Sequence, residues 1–188
     1  MALTPAQIEQ QKQQAEELLF SGPETLGFAK SLFFGRFASD LLFPYPEIKA
    51  AEGPVLDRTL AELRRFADDK IDAAQIDRLA DIPREAIDGL AQLGILGMTA
   101  PAEFGGLGFS QMACAKVIEL IGGHCAATAV FVNAHHSIGI RALLLFGTEA
   151  QKRHWLPDMV SGKKLRAFAL IEPEAGSDAA NVQTTATP

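Results

Sequence analysis

Cysteine is scarce, basic residues form no stripe, and no long apolar run goes without polar interruption. Each scarcity closes off a class of protein. Cys114 and Cys125 are the only cysteines among 188 residues. Both lie in apolar helical settings, so buried free thiols in a reducing compartment are expected rather than a disulfide framework. Lys and Arg number 17 against 23 Asp and Glu, a formal net charge of -6. Phosphate binding needs clustered cations, and the densest cluster here, Lys163-Lys164 with Arg166, suits a solvated helix end; no nucleic-acid partner is expected. The opening stretch from Met1 to Phe20 is rich in Gln and Glu, with neither an apolar signal core nor an Arg-rich transit pattern. Ala126 to Phe146 is mostly apolar and about long enough to span a bilayer. Asn133, His135, His136 and Arg141 interrupt it, and polar groups are costly in lipid. A helix buried in protein is expected there, with no transmembrane segment, in a soluble cytoplasmic chain.

What is present is globular: 48% apolar residues and 21% charged. A chain of this length buries roughly 70% of the surface it exposes when unfolded, enough for a core without staples. Thr4-Pro5-Ala6-Gln7 reads as a helix start, with Thr as N-cap and Pro in the first turn, and Gly22-Pro23 ends that helix. A second short helix is expected from about Leu26 to Ser39, carrying Phe28, Leu32, Phe33, Phe34 and Phe37. Phe43-Pro44-Tyr45-Pro46 then enforces an extended turn. The aromatic density of this section exceeds what one short helix buries alone, so it suits packing against a bundle better than a lipid surface.

From Gly53-Pro54 the pattern becomes regular. Leu56, Leu60, Leu63, Ala67 and Ile71 recur at helical spacing. Pro83 opens a helix with Ile87, Leu90 and Leu93 on one face, stopped by Gly94. Ser110 caps a helix carrying Ala113, Val117, Leu120 and Ile121, ended by Gly122-Gly123. The segment Ala126 to Phe146 follows, then a capping box at Thr148-Glu149-Ala150-Gln151 opens a helix running to Ser161-Gly162. Short links between such helices make a bundle. Strands are expected only at about Leu165 to Ile171 and Val182 to Thr187. Two strands are marginal without further partners, so the sheet is expected to be incomplete and the chain a piece of a longer protein.

Candidate sites are few. Gly105-Gly106-Leu107-Gly108 lacks the spacing of a phosphate-binding loop and reads as a tight turn between helices. His124, Cys125, His135 and His136 lack metal-ligand spacing, and the adjacent pair points about 100° apart on a helix. One of that pair is expected as a hydrogen-bonded core residue and the other at the border of a cleft; no metal is expected. Glu172, Glu174 and Asp178 suit exposed loop carboxylates better than an acid–base pair. Ser177, without an activating neighbour, suits a hydrogen-bond donor to a ligand. The apolar run before Glu172-Pro173 offers main-chain N–H and C=O groups to a planar heterocycle.

Phe168-Ala169-Leu170-Ile171-Glu172-Pro173-Glu174-Ala175-Gly176-Ser177-Asp178 resembles the flavin signature of the acyl-CoA dehydrogenase family. Pro101-Ala102-Glu103-Phe104-Gly105-Gly106-Leu107-Gly108 is similar to that family's glycine turn. Leu145-Phe146-Gly147-Thr148-Glu149-Ala150-Gln151-Lys152, with Leu156-Pro157 and Ser161-Gly162, resembles the helix that precedes its sheet. Phe43-Pro44-Tyr45-Pro46 and Ala134-His135-His136-Ser137-Ile138-Gly139 look most like the very-long-chain branch. The resemblance implies a mainly α fold: a helical extension over 1–50, the N-terminal helical bundle domain over 51–164, and the first strands of a β-domain over 165–188, with the C-terminal helical bundle absent. It further implies FAD as cofactor, α,β-dehydrogenation of long-chain acyl-CoA thioesters in fatty acid β-oxidation, electron transfer to an electron-transferring flavoprotein, and a homodimer when complete. By position, Phe168, Ala169, Leu170 and Ile171 would meet the flavin through their main chain, and Ser177 would touch flavin or acyl-CoA. Ile171 stands where the family usually has Thr, a lost hydrogen bond of about 1 kcal/mol. The family's catalytic glutamate lies in the absent bundle, so this chain alone is expected to be inactive. The competing reading is a non-catalytic binding or assembly module of the same fold.

Overall fold

In the computed structural model the described residues are 9, 27–33, 35–167, 169–185 and 187. The helix expected between Thr4 and Gly22 falls, Glu9 apart, outside them, as do Phe34 and Phe168. The chain divides into two compact units, Met1–Glu47 and Ile48–Pro188.

In the first unit, helix α1 covers Phe28–Phe33 and a 3-10 turn covers Ser39–Leu41. The helix expected on to Ser39 is shorter because Gly35 adopts φ 73°, the left-handed conformation that ends helices. The rings of Phe28 and Phe37 meet edge-on at 5.8 Å, while Phe33 and Phe43 are exposed.

The second unit is a helical bundle. Helix α2, Gly53–Lys70, turns Leu56, Leu63 and Ala67 inward. Helix α3, Ala73–Leu79, is capped by Asp72, whose carboxylate accepts the Gln75 amide at 2.9 Å. Helix α4, Arg84–Gln92, starts after Pro83, buries Ile87 and Leu90, and stops where Gly94 takes φ 74°. Helix α5, Gln111–His124, is capped by Ser110. The expected stop at Gly122-Gly123 comes two residues later, at extended Cys125. Helix α6, Ala126–Ala134, continues through a π-helical turn, His135–Ile140, into α7, Arg141–Phe146. Thr148 and Gln151 form a complete capping box at the start of α8, Glu149–Val160.

One core joins α2, α4, α5 and α6 through Leu63, Leu90, Ile95, Leu96, Met98, Val117, Ile121 and Val132. A second cluster places Leu156, Met159 and Val160 of α8 against Ala100 and Ile140. The segment Ala126–Phe146 is, by length and composition, apolar enough to cross a membrane. Here α6 packs on α5, and both histidines of the π-turn are buried in protein.

The mainly helical expectation matches the structure, but the strands do not. Among the described residues, neither Leu165 to Ile171 nor Val182 to Thr187 forms a strand; both segments are irregular, and a single bridge pairs Glu172 with Ala175. A strand exists only through a ladder with a partner. The N–H groups of Gln183 and Thr184 are instead taken by the Glu172 side chain.

Candidate functional site

The end of α8 and the π-turn position the segment that follows. Lys164 folds back after Gly162 (φ 72°), its amide donating to Asp158 O at 3.0 Å. Its ammonium lies 3.0 Å from the Asp158 carboxylate and 4.8 Å above the Trp155 ring. The next turn of chain then crosses the π-turn at Gly139. A Cβ there would stand 2.9 Å from Arg166 Cβ, so the missing side chain lets the two backbones approach.

Beyond that crossing the chain is open. Ala169, Leu170 and Ile171 are all exposed, Ile171 to 83%. Among the described residues, no backbone–backbone hydrogen bond reaches 165–171. The chain then reverses at Glu172-Pro173-Glu174-Ala175. The Glu172 amide donates to Ala175 O at 2.9 Å and the Ala175 amide to Glu172 O at 3.1 Å, with Ala175 buried. Ser177 and Asp178 stand exposed on the loop that follows, before a 3-10 turn at Ala179–Asn181. The loop closes on the Glu172 carboxylate, which accepts the amides of Gln183 and Thr184, the latter at 3.0 Å, and the Thr184 hydroxyl. These donors, the hydroxyl foremost, hold the Glu172 carboxyl below the ordinary carboxylate range.

On the other side of the π-turn the two histidines part company. His136 Nε2 donates to Ile95 O at 2.7 Å, which leaves Nδ1 to accept from Thr99 Oγ1 at 2.9 Å. His135 Nε2 donates to Met159 O at 3.0 Å. Both rings are buried, so the expectation of one core histidine holds for two; His136 also borders a cleft of about 310 Å³ with Thr99, Asn133 and Arg141. Burial pushes the His136 pKa down to about 4 and lowers that of His135. Cys114, at the same cleft, is a buried free thiol whose pKa burial raises. Among the described residues, no group of three metal-ligating side chains forms.

The glycine stretch forms the tight turn expected of it. Gly108 donates to Ala100 O at 3.0 Å and Phe109 to Met98 O at 2.8 Å, folding the turn onto the preceding segment. Of the residues singled out in the sequence, Ala169, Leu170 and Ile171 come together on one open segment, with Ser177 on the adjoining loop. Phe168 lies outside the described residues. Missed from the sequence were Gln183 and Thr184, which pair with Glu172 across eleven and twelve positions; no short motif signals so long a reach.

The acyl-CoA dehydrogenase N-terminal domain family matches residues 56–163. The chain is 39% identical over 166 residues to the mitochondrial very long-chain specific acyl-CoA dehydrogenase of Macaca fascicularis, covering 88% of this chain and 25% of that protein. It is 41% identical over 181 residues to the probable acyl-CoA dehydrogenase FadE10 of Mycobacterium tuberculosis, covering 96% of this chain and 28% of that one. Among solved structures, an acyl-CoA dehydrogenase from Bacillus anthracis complexed with FAD superposes with a TM-score of 0.54 at 28% identity, over 75% of this chain and 24% of that one. The chain thus spans about a quarter of the length of the curated relatives it matches.

Proposed function

The chain belongs to the acyl-CoA dehydrogenase family, and from that premise we propose that it supplies the N-terminal helical domain and one wall of the flavin site of an FAD-dependent acyl-CoA dehydrogenase. The reaction removes the α-proton and β-hydrogen of a long-chain acyl-CoA thioester and leaves the trans-2-enoyl-CoA. FAD, when bound, supplies the acceptor for the β-hydrogen and the route by which electrons pass to an electron-transferring flavoprotein. The long-chain substrate class is drawn from the very long-chain relative, and the complete protein is taken to be a homodimer.

The observation that carries this reading is the bare main chain at Ala169, Leu170 and Ile171. These residues are exposed, and their amides and carbonyls have no backbone partners among the described residues. They are therefore free to bond the polar edge of a planar ring, which is what the flavin requires. Ser177 adds a hydroxyl on the adjoining loop. Ile171 adds none, and the missing bond weakens binding by about 1 kcal/mol, roughly fivefold. The general base is placed outside this chain. Of the nearby carboxylates, Glu172 is engaged by three donors, which makes it a weak base, and Glu174 and Asp178 face solvent.

A chimera joining this chain to the remainder of the mycobacterial relative tests the proposal. It is expected to purify with bound flavin and to bleach on addition of palmitoyl-CoA, with enoyl-CoA appearing. The 188-residue chain alone is expected to form no enoyl-CoA, even with FAD added. A folded chimera that takes up no FAD would sink the flavin assignment. Turnover by the single chain would sink the placement of the base.

A further inference from the structure

The loop from Glu172 to Thr184 is held at both ends by one residue. At its start, the Glu172 main chain exchanges two hydrogen bonds with Ala175 across the Pro173-Glu174 turn. At its end, the Glu172 side chain accepts from the Gln183 amide, the Thr184 amide and the Thr184 hydroxyl. Between these ties lie Gly176, Ser177 and Asp178 and a short 3-10 turn in which the Asn181 amide donates to Asp178 O at 3.1 Å. Among the described residues no sheet ladder orders this stretch, so its conformation rests on local ties.

We propose that Glu172 is a positioning residue: its carboxylate clamps the returning chain at Gln183 and Thr184 and thereby fixes the loop that presents Ser177 beside the open main chain of 169–171. That the presented ligand is the flavin rests on the function proposed above. Three features of the clamp suit positioning rather than chemistry. The carboxylate's bonds are charge-assisted and therefore strong for their number. Two of the three donors are main-chain amides, so they fix the path of the backbone and not merely a side chain. The carboxylate's proximity to Ile171 along the chain means that the same residue sets where the open segment ends and where the loop returns. Closing a free loop of this length costs entropy that grows with the logarithm of its length. A clamp formed before the ligand arrives removes that cost from binding. Glu174 and Asp178, the other two carboxylates of the loop, are exposed and do not take this part.

The test compares the 188-residue chain with Glu172→Ala, Glu172→Gln and Thr184→Val, using residue-resolved amide hydrogen exchange and FAD titration followed by flavin fluorescence. In Glu172→Ala the Gln183 and Thr184 amides are expected to exchange at least about tenfold faster, with helix α5 amides and the melting temperature of the helical body unchanged. Glu172→Gln, which keeps one acceptor oxygen, is expected to recover part of the protection. Thr184→Val, which removes the hydroxyl bond alone, is expected to lie between Glu172→Ala and the parent. FAD affinity is expected to fall in the same order. Unchanged exchange in Glu172→Ala overturns the clamp, and faster exchange with unchanged FAD affinity overturns its positioning role. If the parent chain binds no FAD, the titration is made in the chimera described above. A chimera that also binds none fails the flavin reading, while the exchange data still decide the clamp.

Discussion

His136 and His124 show how a few ångströms of environment set opposite proton preferences. Both nitrogens of His124 face acceptors, Leu120 O at 3.1 Å and the Asp68 carboxylate at 2.7 Å, so the charged ring is favoured and its pKa is raised, by the Asp68 bond first. That contribution is complete below the ordinary histidine pKa and is lost as pH rises through the raised value. His136 is the reverse case. Burial lowers its pKa from 6.5 to about 4, so the unfolded chain binds a proton between those values that the folded chain does not. Stability contributed by the neutral ring is complete above pH 6.5 and is lost as pH falls towards 4. At 1.36 kcal/mol per unit the loss is on the order of 3 kcal/mol. His135, also lowered, acts in the same direction. Urea unfolding at pH 7 and pH 4.5 is therefore expected to show a marked loss of stability that His136→Gln reduces, since Gln can still donate to Ile95 O and accept from Thr99. An undiminished loss in that variant would count against the assignment. Gly106 makes a steric counterpart. A Cβ at that position would stand 2.0 Å from Ala100 O, with no flexible side chain to yield. Gly106→Ala is expected to destabilise by about 1–3 kcal/mol or more, read by the same unfolding curves.

Helices α2 and α8 were legible for different reasons. In α2 the apolar spacing from Leu56 to Ala67 reproduces the face that is buried. In α8 the capping box announces the start, and both of its bonds are present: the Gln151 amide to Thr148 Oγ1 at 3.2 Å, and the Thr148 amide to Gln151 Oε1 at 2.8 Å. Thr148→Ala is expected to cost about 1 kcal/mol, visible as a drop in melting temperature with native helix content retained; no change would mean the cap is replaced by water without loss. Helix α3 was not legible because it is short and buries only Ile76, too little for a period to show. The π-turn at His135–Ile140 interrupts a segment whose composition reads as one continuous helix. Its wider turn is held from two sides, by His135 on Met159 and His136 on Ile95, contacts that depend on elements distant in the chain.

The unit Ile48–Pro188 contains its own cores, with Leu63, Leu90, Ile95 and Val117 fully buried among neighbours of the same unit. Residues 48–188 expressed alone are accordingly expected to unfold cooperatively, with the helix content calculated for α2 to α8. A molten, non-cooperative transition by near-ultraviolet circular dichroism would show that this body needs more of the protein to fold. Large apolar side chains remain exposed on it, among them Val130, Leu145, Phe146 and Ile171.

Apolar periodicity, caps and glycine stops were enough to place the main helices and the glycine turn, because each depends on residues within one or two turns of one another. The family signature was legible in the same local way, from residues 168 to 178 read in order. The absence of strands among the described residues, the burial of both His135 and His136, and the pairing of Glu172 with Thr184 emerged only in three dimensions. A ladder, a buried imidazole and a carboxylate clamp each require a partner that chain folding brings from elsewhere, and local sequence holds no record of which partner arrives.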